Sequence, residues 1–284
     1  MPLSPVVVVG PVYAASERGL AADVLVARAL GLAPLPICTS IVVASEGRVT
    51  DVTAVPVDTV RAQLEHLGEL PAVAGIKVGA LGDARTVEAV METASAMSGP
   101  CVLDVVTSGP SGETVLDARG IDAVSEHLGV PDLVTLSKAD AELVTNTEIA
   151  SLDDAQVAAQ RLAHRGARGV VIRCGSLPYR FYDPAEDPGA GERALSADLF
   201  YDGEDFALFE APLLDADPDG ASSAFALGAL AGLIRGDAAV AALQSAKRIA
   251  TEAVRQAEPV AGYSPRIGGL ATFGDAPRTQ GTHA

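Results

Sequence analysis

Residues 6–10 read VVVVG, residues 17–31 read ERGLAADVLVARALG, and residues 37–44 read ICTSIVVA. A run of β-branched residues, a segment with apolar positions at helical spacing and a second short apolar run make one strand, helix, strand unit. The pattern then repeats. VAGIKVG at 73–79, VLDVV at 102–106, DLVTLS at 132–137 and GVVIRC at 169–174 read as strands. Helices are predicted between them near 57–68, 83–97 and 118–128, through Ala139–Thr145, and near 153–165. Strands that are apolar throughout, without an in/out alternation, are what a parallel sheet covered on both faces requires. The sequence therefore predicts an α/β fold: a doubly wound, mostly parallel central sheet flanked by helices. Chemistry is expected at the carboxyl ends of its strands.

Beyond Cys174 the texture changes. Residues 182–194 are rich in Pro, Gly and acids and predict a surface loop. ALSADLFY at 194–201 and DFALFEA at 205–211, joined by Asp202–Gly203, predict a short hairpin at the sheet edge. Helices are predicted at about 221–235 and 237–257. The division expected is one domain over 1–258 and a loose tail over 259–284.

The chain has 284 residues, 49% of them hydrophobic, with 20 Lys+Arg against 37 Asp+Glu, a formal charge of −17. This is too apolar for a disordered chain, and its apolar runs are too short for a membrane span. A strongly acidic chain lacks the basic face that nucleic acids or anionic membranes bind, so no partner of either kind is expected. Cys38, Cys101 and Cys174 lie in apolar runs without metal-ligand spacing and read as small buried hydrophobes. The first ten residues, MPLSPVVVVG, lack the charged start of a signal peptide, which predicts a cytoplasmic setting.

The segment that carries most chemistry is DADPDGASS at 215–223, immediately before an apolar helix. A glycine and small residues at a helix start leave backbone N–H groups pointing at an anion, and the helix dipole adds to the attraction. The same letters also suit an ordinary N-cap by Asp219 or Ser222.

Other segments give this one a context. GLAADV at 19–24, IKVGALG at 76–82 and VLDVVTSGPSGETVL at 102–116 come first, then LVTLSKADAELVTN at 133–146 and VVIRCG at 170–175. GASSAFALGALAGLIRG at 220–236 closes the series. In this order they resemble the ribokinase-like small-molecule kinases, in particular the hydroxymethylpyrimidine phosphate kinase and pyridoxal kinase branch, from about Val6 to Ala257. The resemblance implies ATP and Mg²⁺ as cofactors and phosphoryl transfer to the hydroxymethyl group of a pyrimidine or pyridoxal-like small molecule. It further implies a homodimer.

Residue by residue, the resemblance places Gly220, Ala221 and Ser222 around the transferring phosphate and Ser223 at the catalytic position. Arg173 and Ser137 fall at nucleotide positions, and Asp104 and Asp140 at Mg²⁺ positions. Val12, Ala44 and Gly79 fall along the substrate. Each carboxylate has an ordinary alternative: Asp104 as a capping or loop residue, Asp140 as an exposed first-turn residue. Asp23 caps a helix or pairs with an arginine, and Lys77, in an apolar strand, reads first as half of a structural ion pair.

The chain departs from that branch where chemistry would occur. Ser223 replaces an Asp or Cys, and a serine hydroxyl has no ionisation near neutrality with which to take a proton, a loss of about 10²- to 10⁴-fold. Ser222 replaces a glycine and brings a side chain toward the phosphate. GPVYAASERG at 10–19 lacks the branch's paired glycines, Ala44 replaces a ring-reading Gln, Pro110 replaces a basic residue, and Ser137 replaces an Asn. Asp215, Asp217 and Asp219 stand before the helix. Like charges about 6 Å apart repel by roughly 3 kcal/mol at an effective dielectric near 20, against about 2 kcal/mol at most from a helix N-terminus. Two readings stay open, a kinase and a pseudokinase that keeps the fold to bind or regulate. A third, an unrelated doubly wound binding protein, requires the segment matches to be accidental.

Overall fold

The computed structural model describes residues 3–45, 48–67, 73–109, 111–177, 195–261 and 263–270. The loop expected at 182–194 and Pro110 lie outside the described residues. The chain begins β1 (Ser4–Tyr13), α1 (Leu20–Ala29), β2 (Leu32–Ser45), β3 (Arg48–Ala54) and α2 (Val57–Leu67). It continues with β4 (Gly75–Val78), α3 (Ala84–Ala96), β5 (Cys101–Val105), α4 (Ala118–Glu126), β6 (Leu133–Ser137), α5 (Lys138–Thr145), α6 (Leu152–His164) and β7 (Val170–Gly175). The last part holds β8 (Leu195–Tyr201), β9 (Phe206–Pro212), α7 (Ala221–Ile234), α8 (Ala239–Arg255), β10 (Glu258–Val260) and β11 (Tyr263–Arg266).

Nine strands form one sheet in the order β3-β2-β1-β4-β5-β6-β7-β8-β9. The strands from β2 to β7 in that order run parallel, and the antiparallel pairings are confined to the edges, β2 with β3 and β7–β8–β9. The mostly parallel sheet and the β8–β9 hairpin match the sequence reading. Successive residues of a strand face opposite sides, which is why β1 needs valine at four positions in a row. Val7 and Val9 pack into the core under α2, α3, α4, α5 and α6, while Val6 and Val8 pack into the core under α1, α7 and α8.

Helix α7 is the inner helix of the second layer, and every residue from Ser223 to Gly232 is buried. It can be apolar all round because the sheet lies on one side and α8 on the other. The approach to α8 depends on Gly232: a Cβ there would come within 2.6 Å of the Ala242 Cβ. Midway along α8, Lys247 Nζ pairs with the buried Asp198 at 3.0 Å and donates to Ser196 Oγ at 3.0 Å, tying the helix to β8.

The expected boundary at residue 258 is corrected. Strands β10 and β11 pair antiparallel, and Ile267 after them is buried. Asp219 N–H donates to Pro265 O at 2.8 Å, Ile267 N–H donates to Asp219 O at 3.2 Å, and Arg266 pairs with Glu17 at 2.7 Å. The stretch read as the start of a tail is built into the body of the domain. Its Tyr263 and Pro265 alternate with polar residues over too few positions to show a period.

Lys77 and Asp23 meet in the interior, with Nζ 2.9 Å from both carboxylate oxygens. The ion pair expected for Lys77 is present, but Asp23 pairs with this lysine and not with an arginine. Removing one partner of a buried pair strands the other charge, whereas replacing both by apolar groups is often nearly neutral. Lys77→Met is therefore expected to cost about 3–5 kcal/mol in urea unfolding, and Lys77→Met combined with Asp23→Leu to recover most of that loss.

Candidate active site

Strand β1 lies between β2 and β4, so the crossovers leaving it in sequence go first to one side and then to the other. Doubly wound sheets open a crevice at such a reversal, outside the carboxyl ends of the strands. The crevice is present as a cavity of about 410 Å³. Tyr13 at the end of β1, Arg18 after it, Gly79 after β4, Asp104 on β5, Ser137 on β6 and Arg173 on β7 line it, with Asp217–Ser223 across the top.

The N-terminus of α7 faces this cavity. Gly220 is its N-cap residue at φ 98°, and no side chain caps the helix, so neither Asp219 nor Ser222 has the capping role that the letters also allowed. The intrahelical ladder starts with Ala224 N–H donating to Gly220 O at 2.9 Å. The N–H groups of Ser222 and Ser223 lie in the first turn, where no intrahelical acceptor exists. They are left for an anion.

The three carboxylates before the helix do not act as a repelling cluster. Asp219 is buried and held by Arg18, Nε to Oδ1 at 2.5 Å, and it accepts from Ser16 Oγ at 2.6 Å. A cation beside a carboxylate turns a monopole into a short dipole, whose field falls off much faster with distance. Asp217 lines the cavity but is exposed. Asp215 is exposed and lies outside the cavity lining. The electrostatic case for a site closed to phosphates is corrected accordingly.

Ser222 also behaves differently from its expectation. Its hydroxyl turns aside and donates to Asp104 Oδ2, so it does not crowd the approach to the helix N-terminus. Asp104 is 2% exposed within β5 and is neither cap nor loop residue. It also accepts from Thr135 Oγ1 at 2.8 Å and from Arg173 Nη2 at 3.3 Å. Asp140 is buried, not exposed: Thr107 N–H and Oγ1–H donate to its Oδ1 at 2.8 and 2.6 Å, and Ser137 Oγ–H donates to Oδ2. Among the described residues no group of three or more His, Cys, Asp or Glu side chains could hold a metal ion.

Gly79, Asp104, Ser137, Asp140, Arg173 and Gly220–Ser223 all reach the one cavity. Val12 and Ala44 do not. A bulge in β1 between Gly10 and Val12 turns Val12 outward, 43% exposed, so that Pro11 and Tyr13 line the wall in its place. Ala44 lies where β2 has run past its pairing with β1 and pairs with β3 instead. Sequence reasoning overlooked Tyr13 and Arg18. Both lie inside GPVYAASERG at 10–19, the segment that lacks the paired glycines. Burial pushes the Tyr13 phenol up from its ordinary value, Arg18 opposing and Asp219 adding to the rise, which keeps it a neutral hydrogen-bonding group.

A second cavity of about 320 Å³ adjoins the first and shares Arg173, Asp217 and Ala221 with it. It continues over Phe225, Val254 and the Asp198–Lys247 pair. Burial pushes the Cys101 and Cys174 thiols up to about 12, so neither is a nucleophile near neutrality.

The family model for phosphomethylpyrimidine kinase matches residues 15–266. A hydroxymethylpyrimidine/phosphomethylpyrimidine kinase of Aquifex aeolicus is 29% identical over 243 residues, covering 84% of this chain and 90% of that protein. Its counterpart from Streptomyces coelicolor is 26% identical over 246 residues, 86% of each. Among solved structures, the pyridoxal kinase of Staphylococcus aureus in complex with ADP superposes with a TM-score of 0.81 at 23% identity, over 95% of this chain and 94% of that one. A phosphomethylpyrimidine kinase of Clostridium difficile superposes with a TM-score of 0.71 at 18% identity, over 88% and 99%. At these identities the superpositions establish the fold.

The helix start tolerates no side chain at residue 220. A Cβ there would sit 2.9 Å from Ile267 Cδ1 and 3.2 Å from Ala22 Cβ, on a backbone at positive φ. Gly220→Ala is expected to lower unfolding stability by about 1–3 kcal/mol, the range for a non-glycine residue in such a conformation. It should also weaken inorganic phosphate protection in a thermal-shift titration.

Proposed function

Since the chain belongs to the phosphomethylpyrimidine kinase family, we propose that it transfers the γ-phosphoryl group of ATP to the exocyclic arm of a pyrimidine or pyridoxal-like small molecule. The arm is a hydroxymethyl group or its phosphate, the two acceptors named for the Aquifex aeolicus relative. The observation that carries this reading is the uncapped N-terminus of α7 facing the crevice while Arg18 neutralises Asp219. Phosphoryl transfer depends on positioning and on stabilising charge at the transferring group, and both are available there. The same pairing removes one support for a non-catalytic protein, the repulsion expected from Asp219.

The adjoining cavity along Phe225 and Val254 suits the nucleotide base, and Arg173, shared by both cavities, lies between base and phosphates. The likeness to a pyridoxal kinase described in complex with ADP supports this assignment. The acceptor then occupies the opposite end, between Tyr13, Arg18 and Gly79. Mg²⁺ fits the remaining donors. It is usually bound through one or two carboxylates with waters and substrate phosphates, and Asp140 and Asp217 line the cavity with no ion pair to an Arg or Lys among the described residues. Asp104, engaged by Arg173, Thr135 and Ser222, lines the same cavity. Mg²⁺ would supply charge neutralisation on the phosphates.

The reading includes a homodimer, supported by the apolar patch of Val12, Ile41 and Val43, 43%, 50% and 42% exposed at the β3 side of the sheet. It also includes a cytoplasmic setting, supported by three cysteines present as free thiols. No helix among the described residues is long and apolar enough to cross a membrane.

ADP formation with Mg-ATP and hydroxymethylpyrimidine, its phosphate or pyridoxal is the direct test, and complete lack of turnover with all three would refute the proposal. Asp140→Asn is nearly isosteric, so it should leave the Tm within a few degrees. It is expected to lower kcat by about 10²- to 10³-fold, the range for losing one preorganised electrostatic group.

A further inference from the structure

A site for a heteroaromatic acceptor has to hold a flat ring and recognise its nitrogens, and few groups at the acceptor end are free to do so. Ala44, expected along the substrate, has no hydrogen-bonding atom in its side chain and lies outside the cavity lining. Asp23 and Lys77 line the cavity but are spent on each other, with Nζ 2.9 Å from both carboxylate oxygens. Arg18 directs its Nε–H to Asp219. Ser108, beyond the end of β5, offers a hydroxyl but no surface on which a ring could lie.

Tyr13 has both a face and a hydroxyl. It is the one aromatic side chain among the described residues that line this cavity. The bulge in β1 between Gly10 and Val12 brings it there, and two contacts hold it. Ala14 N–H donates to Val42 O at 2.9 Å, and Gly19 lies so close to the ring that a Cβ would come within 3.2 Å of Tyr13 Cδ2. A tyrosine fixed in this way is a large flat surface with only two side-chain torsions left to order on binding.

The Tyr13 hydroxyl has no hydrogen-bond partner among the described residues. Burial raises the phenol above its ordinary value, so near neutrality it is an O–H donor, which is what an unprotonated ring nitrogen accepts. At the end of β4, next to β1, Gly79 adds no side chain. A Cβ there would come within 3.0 Å of Lys77 Nζ and 3.3 Å of Val9 O, and its absence keeps that side of the cavity open.

We infer that Tyr13 selects the acceptor: its ring stacks on the heteroaromatic ring, and its hydroxyl donates to an unprotonated ring nitrogen. Recognition of the ring thus moves from β2, where Ala44 cannot supply it, to the end of β1. The role is one of binding and specificity, and Tyr13 takes no part in moving the phosphoryl group. The inference rests on the kinase reading above, and its test is a binding measurement that does not require transfer.

The full chain is titrated by calorimetry, without nucleotide, with hydroxymethylpyrimidine and with its benzene analogue, in which both ring nitrogens are carbon. Tyr13→Phe keeps the ring and removes only the hydroxyl. It is expected to raise Kd for hydroxymethylpyrimidine about fivefold, the worth of one net hydrogen bond, and to leave the analogue within about twofold. An unchanged Kd for the pyrimidine, or an equal rise for both ligands, would overturn the role of the hydroxyl. Tyr13→Leu removes the aromatic face and is expected to weaken both ligands at least about tenfold, within the range for stacking on an aromatic side chain. A folded Tyr13→Leu protein that binds both ligands as the wild type does would overturn the stacking.

In ADP-release assays the same variants should raise KM for the acceptor while KM for Mg-ATP changes less than about twofold, the pattern of lost acceptor binding. An equal rise in both KM values counts against Tyr13 as an acceptor residue. A wild-type protein that binds the pyrimidine with this dependence on Tyr13, yet forms no ADP, overturns the kinase reading and leaves the ring site standing. Absence of pyrimidine binding at millimolar concentration overturns the inference, while turnover on pyridoxal would then keep the kinase reading.

Discussion

The ion pair between Arg18 and Asp219 is the contact on which the site depends. Asp219 stands one residue before a helix N-terminus, where a carboxylate is stabilised by the dipole but also occupies the potential that an incoming phosphate would use. With Arg18 at 2.5 Å the local charge is cancelled and the N–H groups of the first turn regain their attraction for an anion. The pair also has a mechanical consequence. Asp219 is bound through its backbone to Pro265 and Ile267, and Arg266 reaches Glu17. The loop after β1, the start of α7 and the β10–β11 hairpin are thus three remote pieces of chain gathered at one residue.

That gathering explains which parts of the structure the sequence revealed. Strands such as VVVVG and GVVIRC are apolar because both faces of a parallel sheet are covered, so their character is local and readable. Helix α7 is legible for the same reason, since apolar residues all round signal a helix enclosed on all sides. Strand β3, RVTDVTA, is mostly exposed and pairs only with β2; an edge strand of mixed character has no pattern to separate it from a loop. The β10–β11 hairpin escaped notice likewise, because its order comes from bonds to Asp219 and Glu17, not from its own composition.

The site was legible in position but not in charge. Nine of the expected residues reach one cavity because strand ends and a helix start are fixed by the fold. Arg18 and Asp219 are 201 positions apart, and Ser222 and Asp104 are 118 apart. No local window contains either pair. A count of carboxylates in DADPDGASS therefore implied repulsion, although the cation that cancels it lies in the N-terminal loop. Val12 and Ala44 lie outside that cavity for a different reason: a bulge in β1 and the run of β2 past β1 shift register by amounts that a motif match cannot see.

Ser222 shows how a replaced motif residue can be absorbed. A glycine in the first turn of such a helix keeps the backbone open, and a serine restores that openness only if its hydroxyl has somewhere else to go. Asp104 provides the acceptor, and Arg173 and Thr135 hold Asp104 in place. The helix start is thereby fastened to β5, β6 and β7 at once, which orients its N–H groups without a side-chain cap. No comparable compensation is available to Ser223. A hydrogen bond can replace the geometric role of a glycine, but no neighbour can give a serine hydroxyl the proton affinity of a carboxylate. Of the two serines at the helix start, Ser222 is balanced within the fold by its bond to Asp104.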